Sequence, residues 1–370
     1  MSEGGRTMDA IEKRIAELVN ANGISGFEDE VRKCMEGYMA SPVSDAIWKD
    51  RLGSLVGKKV GDSEGPRILV AGHMDEVGFM VTDIMKKGFL RFQTVGGWWS
   101  QNVLAHRVRI QSRDGTIHRG VIGSKPPHLL KPEEVKKTVE LSDMFIDIGA
   151  RDADEVAQWG IRRGDPIVPD SDFYTLAHGT IWAGKALDNR SGCALAIEVL
   201  HRLKGMDHPN IVFAGATVQE EVGLRGAETL ARRVQPDIAF AVDVGCATDM
   251  PGFEDRATCM VMGQGPTVVL YDSSMLPHRG LRDFVMDTAE ELKIPIQLDS
   301  MARGGTDGGK FHLTGIGCPT VVVGFPTRYI HSHNALMARS DFEQAAQLLV
   351  AVIERLDRRS LQNLVGFDVG

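Results

Sequence analysis

The chain has few cysteines, and they form no framework. Cys34, Cys193, Cys246, Cys259 and Cys318 are five in 370 residues, an odd number with no Cys-x-x-Cys among them. That excludes a small disulfide-stapled fold, and each cysteine is expected to act as a small hydrophobe in a reducing compartment. No run of about 18 apolar residues exists, which argues against a membrane span. No basic block exists either: 42 Lys and Arg against 50 Asp and Glu leave a net charge of −8, a poor basis for grasping a phosphate backbone. The N-terminal stretch MSEGGRTMDAIEKRIAELVN has no apolar segment before a small-residue cleavage site, so a cytoplasmic location is expected. Internal repeats and low-complexity tracts are absent. What remains is an ordinary globular balance, 43% hydrophobic and 25% charged, in a chain long enough for two or three domains.

Helix and strand signals alternate at both ends of the chain. Ile11, Ile15, Ala16, Leu18 and Val19 recur at helical spacing, and Glu28 to Met39 reads as a second helix. Arg67 to Gly72 is a short apolar run with the look of a strand buried on both faces. From about Gly78 to Leu176 the pattern changes to short alternating segments. His106 to Gln111 and Thr116 to Ile122 flank Asp114-Gly115, a hairpin signal, and one helix is expected near Asp154 to Trp159. After Thr180 the α/β rhythm returns, with strands at Ile211–Val218, Ile238–Val242 and Pro319–Val323. Helices are expected over Asn189–Leu203, Ala227–Val234, Leu281–Leu292 and Asp341–Leu356. The reading is an α/β domain interrupted by a β-rich insert.

Acidic and imidazole residues fall where these strands end. His73-Met74-Asp75 follows the first apolar run. Residues two apart on an extended chain face the same side, so the Asp75 carboxylate can hold one nitrogen of His73. Asp188 precedes the Asn189 helix, as a cap or as something more. Glu220-Glu221 follows a buried strand, and two adjacent carboxylates there need a cation or a proton. Asp243 ends the next strand. Tyr329-Ile330-His331-Ser332-His333 follows the last one. In open α/β sheets ligands bind at the carboxyl ends of strands. Histidines and carboxylates converging there suit Zn²⁺ or a similar divalent ion, and with a bridging carboxylate they suit two. His-Glu-x-x-His is absent, and adjacent Glu220 and Glu221 cannot flank a sugar as a glycosidase pair must.

These residues, with Gly26-Phe27-Glu28, Asp50-Arg51-Leu52-Gly53, Gly72 to Gly78, Gly96-Gly97-Trp98, Lys125-Pro126-Pro127-His128, Lys185 to Arg190, Gln219 to Gly223, Gly304 to Asp307 and Arg328 to Ser332, resemble the M42 family of dinuclear metal aminopeptidases. The resemblance spans nearly the whole chain. It implies a mixed-sheet sandwich catalytic domain of the zinc-peptidase type over 1–77 and 177–370, and an inserted β-rich dimerisation domain over 78–176. It implies that His73, Asp188, Glu221, Asp243 and His331 bind two divalent ions, Zn²⁺ or Co²⁺ or else Mn²⁺. Asp188 bridges, Asp75 orients His73, Glu220 is the general base, and His333 is not a ligand. It further implies peptide substrates with a free N-terminus, and dimers that assemble into a dodecamer. The competing functions are a related hydrolase of N-acylated amino acids or peptides and a carbohydrate hydrolase. Arg303, Arg328 and His278 either favour an acidic first residue or form salt bridges.

Overall fold

The structure, a computed structural model, describes residues 7–253, 260–301 and 303–366. Cys259 and most of the polar N-terminal heptapeptide lie outside them. Among the described residues the strands in chain order are β1 (Ala46–Lys49), β2 (Leu55–Val60), β3 (Arg67–His73), β4 (Gly78–Ile84), β5 (Leu90–Val95), β6 (Arg107–Gln111), β7 (Ile117–Gly123), β8 (Phe145–Asp147) and β9 (Pro166–Pro169). The second half adds β10 (Tyr174–Leu176), β11 (Ile181–Gly184), β12 (Ile211–Thr217), β13 (Ile238–Cys246), β14 (Thr267–Tyr271), β15 (Gln297–Ser300), β16 (Thr320–Arg328) and β17 (Ala335–Ala338).

Eleven of these strands make one mixed sheet in the order β1-β2-β12-β3-β13-β16-β17-β11-β10, with β14 pairing β15 and β16. The centre, β12-β3-β13-β16, is parallel. Its apolar runs show no polar period because alternate side chains enter two different cores. Ile68 and Val70 of β3 join one cluster with residues of the helices Ala10–Asn20, Asp29–Met39, Leu187–Leu203, Arg279–Leu292 and Arg339–Arg355. Leu69 and Ala71 join the other, with Ala227, Leu230 and Val234 of the helix Arg225–Val234. On β12 and β13 the same alternation holds: Val212 and Phe240 face the first cluster, Phe213 and Ala241 the second.

The intervening β-rich stretch closes into a barrel, β4-β5-β8-β7-β6-β9, around Phe79, Leu90, Val108, Ile110, Ile146 and Ile167. Asp114 organises its hairpin by accepting from the Thr116 N–H, with Gly115 at φ +87°. The barrel strands stop at Pro169. Tyr174–Leu176, inside the stretch read from the sequence as insert, pairs instead with β11 in the large sheet.

Two strands run past their expected ends. β13 continues through Asp243 to Cys246 and β16 through Pro326 to Arg328, paired in parallel from Ala239↔Thr320 to Cys246↔Thr327. Asp243 therefore sits within a strand, not at its end. Cys246 is exposed, unlike the small buried hydrophobe expected, whereas Cys193 and Cys318 are buried.

Candidate active site

Strand register brings the first side chains together. Thr217 of β12 lies beside His73 of β3, and Asp243 lies two residues beyond Ala241, the partner of Ala71. Odd-numbered residues of β3, β12 and β13 share one face, so His73, Thr217 and Asp243 all project the same way. His73 Nε2 is 3.8 Å from Asp243 Oδ1.

The Leu187–Leu203 helix supplies the next group. A Cβ on Gly72 would stand 2.7 Å from the Gly192 carbonyl carbon, so glycine there lets the helix reach the strand. Asp188 and Asn189 keep non-helical dihedrals at its start. Asn189 takes the cap role that sequence alone left open for Asp188: its Oδ1 accepts from the Gly192 N–H at 2.9 Å. Its Nδ2 donates to the Val242 carbonyl at 2.7 Å, tying this turn to the strand that carries Asp243. Freed from capping, Asp188 points one oxygen at each imidazole. Oδ1 is 3.3 Å from His73 Nε2, and Oδ2 is 3.3 Å from His331 Nε2.

Glu220 and Glu221 follow β12 through Gln219, held at φ +55°. Glu220 Oε2 lies 3.8 Å from His73 Nε2, and Glu221 Oε1 lies 3.4 Å from His331 Nε2. Asp75 sits beneath them, fully buried. Its Oδ1 accepts from the Glu220 N–H at 2.9 Å, and its Oδ2 from the Glu221 N–H at 3.1 Å and from Ser25 Oγ at 2.6 Å. The expected grip of the Asp75 carboxylate on His73 is looser than its grip on this loop. His73 Nδ1 is 3.5 Å from Asp75 Oδ1 but 3.0 Å from the Asp75 carbonyl oxygen. An Nδ1–H donating to that carbonyl leaves Nε2 free to bind a metal.

Two further devices hold the site from outside. Arg190, fully buried, donates to the carbonyls of Met74, Leu18, Ala21 and Gly23, and joins Lys185 in pairing with Glu76. That network fixes the chain on either side of Asp75. From the barrel, Gly97 leans over His331: a Cβ there would lie 3.2 Å from His331 Nδ1.

The titratable groups crowded here shift one another through burial, charge and hydrogen bonds. Burial pushes His73 down, but Glu220, Asp188, Asp75 and Asp243 outweigh it and hold it well above the ordinary histidine range. The same contest, decided by Asp188 and Glu221, lifts His331 to about 11. Burial raises Asp188, yet its bonds to the two histidines bring it below the usual carboxylate range. Burial, with Asp243, Asp307 and Glu221 nearby, holds Glu220 well above that range despite His73. Burial also raises Asp243 and Glu221. Asp307 was given no role from sequence. It is buried beside the cluster, accepts from Thr217 Oγ1, and is raised to about 7, by burial first.

Ion-binding geometry follows from these positions. His73, Asp188 and Asp243 each offer a ligand atom within 4.8 Å of the others, and so do Asp188, Glu221 and His331. Asp188 is common to these two, and His73, Glu220 and Glu221 form a third such group without it. The nitrogen and oxygen donors fit a borderline divalent cation, and the buried surplus of carboxylate calls for positive charge. His333 stands apart, stacked on His106 at 3.7 Å and edge-on to Trp98.

Other chemistries lack their context. Gly61 to Gly65 has the spacing of a serine-nucleophile elbow, but Ser63 sits in the exposed link between β2 and β3, not in a strand-to-helix turn. Gly179 to Lys185 has phosphate-loop spacing, but it runs through β11 and its lysine is buried against Glu76. Arg328 is paired with Asp249 at 2.6 Å, the salt-bridge alternative, and His278 accepts through Nδ1 from the Leu281 N–H.

The pattern of the M42 glutamyl aminopeptidase family matches residues 53–348. The chain belongs to the M42 peptidase family. A glutamyl aminopeptidase of Lactococcus lactis subsp. cremoris is 36% identical to this M42 chain over 355 residues, 96% of this chain and 99% of that protein. A TET aminopeptidase from the marine sediment archaeon Thaumarchaeota archaeon SCGC AB-539-E09 superposes with TM-score 0.93 at 46% identity, covering 96% of this chain and 100% of the other. The Pyrococcus horikoshii TET1 peptidase, which can assemble into a tetrahedron or a large octahedral shell, gives TM-score 0.83 at 31% identity over 94% of this chain and 100% of its own. The M42 chain shares with these structures a mixed α/β fold built on a mixed sheet.

Proposed function

We propose that this M42 peptidase is a metal-dependent aminopeptidase that removes the first residue of peptides at a pair of divalent ions. The observation that carries the reading is Asp188, whose two oxygens each face a different histidine at 3.3 Å. In this reading His73, Asp188 and Asp243 hold one ion, and Asp188, Glu221 and His331 hold the other. Zn²⁺ or Co²⁺ suits the mixed donors best, and Mn²⁺ is acceptable. When bound, the ions supply Lewis acidity to the scissile carbonyl and acidify a water.

The chain's own groups do the rest. Glu220 takes the proton of the attacking water and passes it to the leaving amine. Burial raises its carboxyl, so it can hold a proton between the two steps. Asp75 keeps Glu220 and Glu221 in register through their backbone N–H groups, and the Asp75 carbonyl fixes the His73 tautomer. The barrel serves as a dimerisation surface, and the subunits form a homo-oligomer, with twelve copies as the expected state. The P. horikoshii TET1 assemblies support the homo-oligomer. Cytoplasmic residence belongs to the same reading. No described helix is long and apolar enough to cross a membrane, and the described cysteines are free thiols.

Stripping with a chelator tests the core of the proposal. Activity on aminoacyl-arylamides is expected to vanish and to return with Zn²⁺, Co²⁺ or Mn²⁺, while N-acetylated peptides and cellulose stay untouched. Full peptidase activity in protein shown metal-free by elemental analysis contradicts it. Size exclusion with light scattering reads the assembly.

A further inference from the structure

The loop that carries Glu220 is held from behind by a residue to which nothing above gives a role. Glu28 occupies the N-cap position of the helix Asp29–Met39, where a side-chain oxygen ordinarily accepts from that helix's own first turn. Its carboxylate makes no such bond. It is buried, and its Oε1 accepts instead from the Gly26 N–H at 2.8 Å and from the Gln219 N–H at 3.1 Å, across 191 residues of sequence. Gln219 is the residue at φ +55°, a conformation that a non-glycine residue keeps only when its surroundings impose it. The next two N–H groups, of Glu220 and Glu221, end on Asp75. Three successive backbone donors of the catalytic loop thus terminate on two buried carboxylates from the N-terminal part of the chain.

The left-handed turn at Gln219 matters because it aims two adjacent side chains at different partners. Glu220 points at His73, and Glu221 points at His331. We propose that Glu28 is a positioning residue for the general base: by accepting the Gln219 N–H it holds the turn from which Glu220 reaches the reacting atoms. This rests on the reading of Glu220 as proton carrier. Both bonds go to one oxygen, whose place an amide carbonyl can take. Asp75 holds the Glu220 and Glu221 N–H groups, so withdrawing Glu28 frees only the turn at Gln219: Glu220, next to that turn, loses its aim, and Glu221, one residue further on, stays as a metal ligand.

The test uses the metal-loaded, full-length enzyme and an aminoacyl-arylamide substrate. kcat, KM, metal content and melting temperature are measured for Glu28→Asp, Glu28→Gln and Glu220→Gln. Glu28→Asp keeps the charge but shortens the reach. It is expected to lower kcat by about tenfold or more, with KM changed less than about threefold and metal content as in the parent. Glu28→Gln keeps the acceptor in place and is expected to recover kcat to within about threefold of the parent. Adding Glu28→Asp to Glu220→Gln is expected to cost less than about threefold more, because there is no proton carrier left to misplace. Normal kcat in Glu28→Asp overturns the assignment. So does a loss of about tenfold or more in Glu28→Gln at parental metal content and melting temperature, which would make charge the operative property; this arm decides even if Glu28→Asp does not fold. If Glu220→Gln turns over normally, the general-base reading fails. If Glu220→Gln is inactive while Glu28→Asp is normal, only the role of Glu28 falls.

Discussion

The two halves of the candidate metal site are made from different kinds of backbone. His73 and Asp243 stand level on neighbouring parallel strands, with side chains 2% and 12% exposed. Their strands pair as far as Ala71↔Ala241, two residues before them, and this sets their separation together with the Asn189 bond to the Val242 carbonyl. Glu221 and His331 come from loops, His331 at φ +54° and 37% exposed. Nothing regular holds those two, so individual contacts must: Asp75 takes the Glu221 N–H, and the Gly97 backbone lies so close to His331 that a Cβ there would stand 3.2 Å from its Nδ1. Asp188 belongs to both halves. The strand half is positioned by the same hydrogen bonds that make the sheet. The loop half depends on individual contacts, each removable by one substitution.

Removing the shared residue is expected to have the largest effect. Asp188→Ala should lower metal content from two ions to fewer than about one per subunit and abolish turnover, because one oxygen of each triad goes at once. Retention of two ions by elemental analysis would erase the distinction between shared and unshared ligands. The next effect sharpens the contrast between halves. Stepwise competition with a chelator should remove one ion roughly tenfold more readily than the other, and His331→Ala should abolish that weaker class while keeping the tighter one. Equal affinities, or loss of the tighter class in His331→Ala, would mean that strand and loop hold their ions alike.

The smallest effect concerns stability. His333 lies two residues from His331 yet shifts the opposite way: burial, and then the neighbouring His106, push it down to about 3. The unfolded chain takes up that proton near 6.5 and the folded chain only near 3, so between them the unfolded state binds more. Stability from the neutral ring is complete above about pH 6.5 and is lost as pH falls toward 3. His333→Phe keeps a ring against Trp98 and His106 and should flatten this acid limb in denaturant titrations from pH 7 to 4. An unchanged slope would show that His333 does not carry the dependence.

The same contrast governs what could be seen in the sequence. The apolar runs of β3 and β12 are legible because both faces are buried, and the acidic and imidazole residues after them mark the sheet edge. β13 and β16 read short because Asp243, Gly245 and Pro326 interrupt their apolar runs, and pairing with each other, and of β16 with β14 and β17, carries them onward. His73 and Asp75 are visible as a pair, but the closer contact of the ring to the Asp75 carbonyl is a matter of backbone direction. Asp188 hides at a helix start because Asn189, one residue later, is the cap. His331 and His333 cannot be ranked by spacing; the family resemblance named the first, and the structure sets it in the cluster and the second in an aromatic stack. Glu28 and Asp307 stand in motifs of the resemblance, but their roles are not legible there, since Gln219 and Thr217, the partners that matter, lie far away in the chain.

Anomalous diffraction from crystals of the Zn²⁺-loaded enzyme tests the central claim most directly. The account predicts two peaks per subunit about 3.5–4 Å apart. One should touch His73 and Asp243, the other Glu221 and His331, each on a different oxygen of Asp188. A single peak, or two peaks that share no Asp188 contact, would contradict it.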